Sequence, residues 1–246
     1  MKIGRFIISL CLFNACWGAD AASQIYPRWF LFQGEIPSSR ITVGFVRPSL
    51  YRDSSISYAF KAGCTSYGIN RRLSITGREA FWATEGGTAW MGSDISLSYD
   101  SAAADNAQRE FRVLDCYTDR VKTIVLAGES GMEIDQALKA PVPVASVRKP
   151  EWVEKLPSSP TMQYAVGQAE EYFYETSSWE LAERIARLSL GRQMGTTVSG
   201  LQKLTEIEGQ DVRHDEFSTV LYDVKVIARW RDLKKKIFYV LIGMPK

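Results

Sequence analysis

Apolar and polar positions alternate most cleanly in the second half of the chain. Gln163 to Ala169 forms a short alternating run around Gly167, the pattern of a strand that passes close to another backbone. Trp179, Ala182, Ile185, Ala186, Ser189, Gln193 and Met194 then recur at helical spacing, with Glu180, Glu183, Arg184 and Arg187 on the other face. That spacing predicts an amphipathic helix of about five turns. Ser177-Ser178-Trp179-Glu180 has the form of a capping box for its start, and Glu180 is placed to pair with Arg184. Small residues at Ala182, Ala186 and Ser189 suit a helix lying closely across a sheet. Three strands are predicted after it. Thr196 to Ile207 is rich in β-branched residues, Phe217 to Trp230 sets Tyr222, Val224, Val226, Ala228 and Trp230 on one face, and Ile237 to Ile242 is continuously apolar.

The first half repeats this pattern. At a shift of about 123 residues, Pro27, Trp29, Val43, Gly44, Tyr51, Ser54, Ser55 and Ala59 fall on Pro150, Trp152, Val166, Gly167, Tyr174, Ser177, Ser178 and Ala182. Ser66, Gly68 and Gly77 fall on Ser189, Gly191 and Gly200. Farther on the register slips, and Val113, Tyr117 and Asp119 answer to Val226, Trp230 and Asp232. Predicted elements are a strand at Ile41 to Arg47, a helix from Ser54 to Arg72, and strands at Leu73 to Trp82, Phe111 to Thr118 and Val121 to Ala127. Gly63 and Gly68 weaken that helix by about 1 kcal/mol each relative to Ala. The slip in register implies an insertion, placed in the Gly/Ser/Ala-rich stretch at 86–106 and read as a loop.

The fold class expected is therefore α+β, as two tandem units. Each is a strand-helix-strand-strand-strand with one long helix packed on an antiparallel sheet. The units span 25–130 and 150–246, and 131–149, with Pro141 and Pro143 and no periodicity, reads as a semi-rigid linker. Ahead of them, residues 1–21 have the order of a secretory signal, with Lys2 and Arg5 before an apolar run from Phe6 to Phe13 and small residues after it. Two processing routes stand open. Cleavage after Ala21 satisfies the small-x-small rule, whereas Leu12-Phe13-Asn14-Ala15-Cys16 has the look of a lipobox in which Cys16 is acylated. Either route places the protein in the periplasm, with an outer-membrane association if Cys16 carries lipid.

In such an oxidising compartment Cys64 and Cys116 could form one disulfide, or remain two free thiols; spacing does not decide between them. The formal net charge of +2 over 246 residues gives no footprint for a nucleic acid. Lys234, Lys235 and Lys236, between two apolar runs, read as a solvated hairpin turn.

Recognisable catalytic chemistry is scarce. The single histidine, His214, falls among Asp211, Arg213, Asp215 and Glu216 in what reads as a loop, with no nucleophile motif nearby. No Cys/His cluster has metal-ligand spacing, and Gly86-Gly87 lacks the lysine and following helix of a phosphate loop. Glu170 and Glu171 could sit together at a strand end, although a solvated connection is the commoner use of such a pair. No catalytic residue, cofactor or metal is expected. The aromatics Trp82, Trp90 and Tyr99 around the insertion are the candidate interface residues, because a long loop bearing aromatics has no packing counterpart in the second unit. Trp29 and Trp152 each follow a proline at the entry to a unit, where a Trp can cover the open side of a sheet or anchor a partner.

Tyr164-Ala165-Val166-Gly167-Gln168-Ala169, the helical Ala182-x-x-x-Ala186, Thr197-Val198-Ser199-Gly200, Val226-x-x-x-Trp230 and Tyr239-Val240-Leu241 together resemble the bacterial "lipoprotein twenty" family. The unit is also similar to the N-terminal domain of FlgT-type flagellar assembly proteins. The resemblance implies a dodecin-like unit, a helix cradled by an antiparallel sheet, in exported structural or assembly proteins without catalytic residues. The expectation is a non-enzymatic envelope component of flagellar or secretion-apparatus type, whose partners are other envelope proteins or further copies arranged in a ring. The alternative is a periplasmic small-ligand binder with a dodecin-like pocket, with Trp179 or Trp230 as the stacking residue.

Overall fold

Two long helices are set against their sheets by glycine. In the computed structural model, which describes residues 24–84, 87–201 and 211–246, strand β2 (Ile41–Val46) leads into helix α2 (Arg52–Arg71). Strand β8 (Met162–Glu170) leads likewise into α5 (Glu175–Met194). A Cβ added at Gly44 would overlap the carbonyl oxygen of Ala59 and the amide of Gly63, and one at Gly167 would overlap those of Ala182 and Ala186. Only a strand glycine facing a helix stripe of Ala or Gly lets the two backbones come this close. The rows Ser55, Ala59, Gly63 and Ser178, Ala182, Ala186 are buried for that reason.

Each helix rests on a three-stranded antiparallel sheet. The first has the order β2-β6-β5, with β5 at Phe111–Thr118 and β6 at Thr123–Glu129. The second has the order β8-β12-β11, with β11 at Lys225–Asp232 and β12 at Ile237–Pro245. A four-stranded sheet joins the halves. In it β4 (Gly87–Tyr99), β3 (Arg72–Thr84), β10 (Asp211–Tyr222) and β9 (Thr196–Leu201) follow one another, all antiparallel. The α+β class is thus as expected. On the described part of this sheet Leu73, Ile75 and Leu221 are buried, whereas Arg72, Thr76, Arg78, Ser96, Ser98, Glu216, Ser218 and Tyr222 are exposed. One face covers the helices and the other meets water.

The halves share their main core. Strand β1 (Ile25–Pro27) and helix α1 (Arg28–Leu31) drive Tyr26, Trp29 and Phe30 between them. Phe30 lies 5.8 Å from Phe45 of the first sheet and 5.6 Å from Trp179 of α5, which in turn lies 4.7 Å from Phe238 of the second. The segment 131–149 belongs to this core as well. Helix α4 (Gln136–Lys139) and β7 (Pro141–Pro143) lie in it, β7 pairs with β1, and Leu138 and Val144 are buried. Its prolines therefore set a path over the core, where composition suggests a spacer.

Several local expectations change. The stretch at 86–106, expected as a loop, carries β4 and the start of helix α3 (Ser101–Glu110). Asp100 caps α3 by accepting the Ala102 N–H at 2.9 Å, and Gly68 makes room for it, since a Cβ there would lie 2.9 Å from the Cβ of Ala104. Among the described residues the first unit thus adds β4, besides the short β1, to the strands predicted. The run Phe217 to Trp230 is two strands, divided at Asp223, whose φ of 51° lies in the left-handed region that Asp tolerates. His214, expected in a loop, lies within β10, its backbone opposite Ala80 and Leu201. The Ser177-Ser178-Trp179-Glu180 capping box is absent because α5 begins earlier, at Glu175, and Ser178 has another use described below. The turn at Lys234 to Lys236 is as expected, with Asp232 accepting the N–H groups of Lys234 and Lys235.

Candidate functional site

The two strand-to-helix connections are built alike. Ser55 accepts the Ser49 N–H at 2.6 Å, and Ser178 accepts the Tyr172 N–H at 2.8 Å. Each serine lies inside its helix and reaches back to the loop, so the loop folds over the helix start and the next side chain is turned outward. That side chain is Leu50 in one half, 91% exposed, and Phe173 in the other, 92% exposed. A tyrosine follows in both, Tyr51 at 70% and Tyr174 at 44%. The loops meet where the Arg47 guanidinium lies 3.9 Å from the Tyr174 ring, a cation–π contact.

A cleft of about 750 Å³ opens there, lined by Gln24, Arg47, Pro48, Arg120, Tyr172, Phe173 and Lys236 among others. Glu171, Glu175 and Arg231 line it, and from them a chain of paired charges runs into the interior. Arg231 donates to Glu171 and, at 3.1 Å, to Glu175; Glu175 also accepts from the Tyr26 hydroxyl at 2.6 Å and pairs with Lys122 at 3.3 Å. Lys122, 1% exposed, also pairs with Asp119 at 2.9 Å and lies 4.5 Å from the Tyr26 ring. Burial, then the Glu175 carboxylate, hold the Tyr26 phenol well above its ordinary pKa. Burial and then Asp119 push Tyr117 to about 12. Each carboxylate along these paired charges is engaged by a cation and each phenol is held protonated, so the pairs join the two halves and the exposed chemistry lies on the rim.

A second polar centre sits deeper. Glu183 of α5 accepts from Arg229 of β11 at 2.7 Å and from Arg187 at 3.1 Å; Arg229 also donates to the Phe30 carbonyl at 2.7 Å, and Arg187 to Asn70 of α2 at 3.0 Å. Burial alone would raise the Glu183 carboxyl pKa, but Arg229 and Arg187 together hold it below the ordinary value. The helical pattern placed Glu183 and Arg187 on a solvent face. They are buried because α5 has neighbours on two sides, its own sheet and the first half.

No family model, curated protein or solved structure matches the chain. The site is therefore read from its own residues. Trp82 and Trp90 lie within paired strands, Trp82 opposite Ala89 and Val212 and Trp90 opposite Phe81, rather than on a loop; their side chains lie outside the described residues. Tyr99 ends β4, 41% exposed, at the rim of a groove of about 450 Å³ walled by Val43, Phe45, Ile69, Leu73 and Leu97. Glu180 borders that groove, its carboxyl pushed up by burial and by Glu183. Trp179 and Trp230, the expected stacking residues, are spent on the core: Trp179 donates to the Tyr26 hydroxyl at 3.2 Å and Trp230 to the Val147 carbonyl at 3.2 Å. Trp29 is fully buried and donates to Asp115 at 2.7 Å.

Cys64 and Cys116 are free thiols beside one small apolar cluster, with burial pushing the Cys64 thiol up to about 11. Cys16 and the segment 1–21 lie outside the described residues. Glu171 is engaged by Arg231 and, at 3.4 Å, by Lys236. Among the described residues no cluster of three or more His, Cys, Asp or Glu could hold a metal ion, and no helix is long and apolar enough to cross a membrane. Sequence reasoning missed Leu50 and Phe173. Their signal was present: they align at the shift of about 123 residues, and each is apolar where a solvated connection calls for polar side chains.

Proposed function

We propose that this protein is a non-enzymatic structural or assembly component of an exported envelope complex, periplasmic or outer-membrane-associated and of flagellar or secretion-apparatus type. One observation carries the reading, the strand order β4-β3-β10-β9. The two hairpins, β3-β4 and β9-β10, lie side by side in the same sense, as a translation across the sheet. A two-fold relation would instead bring like strands together at the junction. Translation is the internal form of a heterologous, head-to-tail contact, which leaves unlike edges at the two ends. Among the described residues β4 ends the sheet on one side and β9 on the other, and open edges are templates for further pairing. The resemblance to lipoprotein twenty and FlgT-type units and the signal-like leader support the same reading. Its partners are further copies of this chain, as a ring or row, and other envelope proteins.

The test is sedimentation equilibrium of the exported chain, with crosslinking in intact envelopes. The parent is expected to form oligomers. Placing charge along the β4 edge with Ser96→Lys and Ser98→Lys, both positions exposed, is expected to yield monomers with unchanged circular dichroism. A strictly monomeric parent that crosslinks to nothing would refute the reading.

The groove between α2, α5 and β4 favours a second reading, binding of a small apolar ligand, because its apolar walls converge on Glu180, Arg184 and Arg187. Replacing Val43 by Trp would fill it. A ligand panel with no response in the parent would dispose of this alternative.

A further inference from the structure

The loop pair that carries Leu50 and Phe173 is fitted to a lipid surface. We propose that this end of the molecule docks on an anionic membrane leaflet, with Leu50 and Phe173 as its two wedges and Arg47, Arg120 and Lys236 as the cations around them. This inference rests on the envelope reading above, and concerns a different surface from the sheet edges that carry self-association.

Three observations converge on it. Two side chains of high transfer energy stand almost fully in water, at matching positions of the two halves, and each is fixed there by the same serine contact. Scattered exposed apolar residues need no account, but two that are held outward by a repeated device, and backed by Tyr51, Tyr172 and Tyr174, form a rim of the kind that sits at a membrane interface. The cleft between them carries more cations than carboxylates, although Asp53 and Glu170 lie exposed beside the two loops. Arg47, Arg120 and Lys236 line the cleft, while its two carboxylates, Glu171 and Glu175, are engaged by Arg231, Lys122 and Lys236. Exposed arginine and lysine next to apolar tips suit anionic headgroups, and not a second copy of the same basic rim.

Continuity of the chain supplies the third. The described residues begin at Gln24, on the wall of this same cleft, and the sequence before it holds the apolar run from Phe6 to Phe13 and Cys16. Gln24 is eight positions beyond Cys16, and an extended chain spans about 3.4 Å per residue. An acyl group on Cys16 would thus hold Gln24 within roughly 30 Å of the bilayer.

The test uses the exported chain carrying Cys16→Ser, so that no acyl chain contributes, and vesicles of phosphatidylethanolamine and phosphatidylglycerol in a 3:1 ratio, with phosphatidylcholine vesicles for comparison. The chain is expected to cosediment with the anionic vesicles and to be released by salt. Leu50→Ser with Phe173→Ser should weaken binding at least tenfold, whereas Leu156→Ser, which removes exposed apolar surface outside the two strand-to-helix connections, should leave it unchanged. A Phe173→Trp variant should gain fluorescence that brominated lipid quenches. Equal binding by the parent and the double variant, or no vesicle binding by the parent, would overturn the proposal. If the parent ignores vesicles while the double variant is lost from envelope crosslinks, the loops serve a protein partner, and the lipid proposal fails while the assembly reading stands. Loss of self-association in the charged β4 variant, with vesicle binding intact, would separate the two surfaces.

Discussion

Glu183→Gln should be among the most damaging single-atom changes in this protein. The carboxylate side chain is 7% exposed, and it sits between Arg229, 1% exposed, and Arg187, 9% exposed. The substitution keeps the shape and one acceptor but removes the charge that neutralises two guanidinium groups. Arg229 retains the Phe30 carbonyl and, at 3.1 Å, the Gln33 side chain; Arg187 retains Asn70 and, at 3.3 Å, Ser66. These are neutral acceptors, too weak to balance a buried cation. Removing one partner of a buried pair costs about 3–5 kcal/mol, which for a chain of this size is a fall of roughly 6–20 °C in Tm. Urea titration followed by Trp fluorescence would read it. The pH dependence has a defined sign. Because the folded pKa of Glu183 lies below its ordinary value, its stabilisation is fully present above the ordinary carboxylate range and is lost as the pH falls through the folded pKa. The Gln variant should therefore lose less stability on acidification than the parent. An apolar pair, Glu183→Leu with Arg229→Met, should recover part of the loss, since the partners are removed together. A loss below about 1 kcal/mol for Glu183→Gln, or no coupling between the two positions, would refute the account of α5 as a helix charged on its buried side.

Gly44→Ala and Gly167→Ala should each destabilise by at least the 1–3 kcal/mol of ordinary overpacking, because the added methyl meets the backbone of Ala59 or Ala182, which cannot rotate away; a shift under 0.5 kcal/mol in chemical denaturation would contradict the packing described. Titration of the exported chain with a thiol reagent after unfolding without reductant should find Cys64 and Cys116 both free, and in the native chain Cys116 should react first, since Cys64 is buried and its thiol is held protonated to about pH 11. Absence of reactive thiols on unfolding would show the bridge that the structure lacks.

What could be read from the sequence follows from how each element meets solvent. Strand β8 and helix α5 show clear periodicity because each has one plainly apolar face. Strand β4 does not: its described inward positions are Ile95 and Leu97, its outward ones Ser96 and Ser98, and the hairpin it forms with β3 hides that short signal in a Gly- and Ser-rich stretch. Helix α3 buries little beyond Ala104 and Ala107, too small a stripe to stand out. The charged residues mislead in the opposite direction. Arg229 and Arg231 alternate with apolar neighbours, as exposed positions would, yet both are buried, and Glu183, Arg187 and Lys122 are buried with them. A pattern of hydrophobic and polar positions identifies one apolar face; a second, charged burial leaves no trace in it.

The charged burials also account for why the two halves stay together. The Tyr26 hydroxyl and Lys122, from the first half, are satisfied by Glu175 of the second; Arg229 and Arg187, from the second, are satisfied by Phe30, Gln33 and Asn70 of the first. Either half alone would keep the ion pairs of Arg229 and Arg187 with Glu183 and of Lys122 with Asp119, but would lose these crossing bonds, at about 1–3 kcal/mol for each neutral group left without a partner. Segment 131–149 adds β7 to β1 and buries Leu138 and Val144, so cutting it would open the same core. The consequence reaches the exposed loops. Leu50 and Phe173 are held by one serine each, and the loops that carry them meet where Arg47 of one half lies over Tyr174 of the other. A surface that needs both halves to exist cannot be offered by either unit alone, and this gives the repeated pattern of the sequence a use beyond added length.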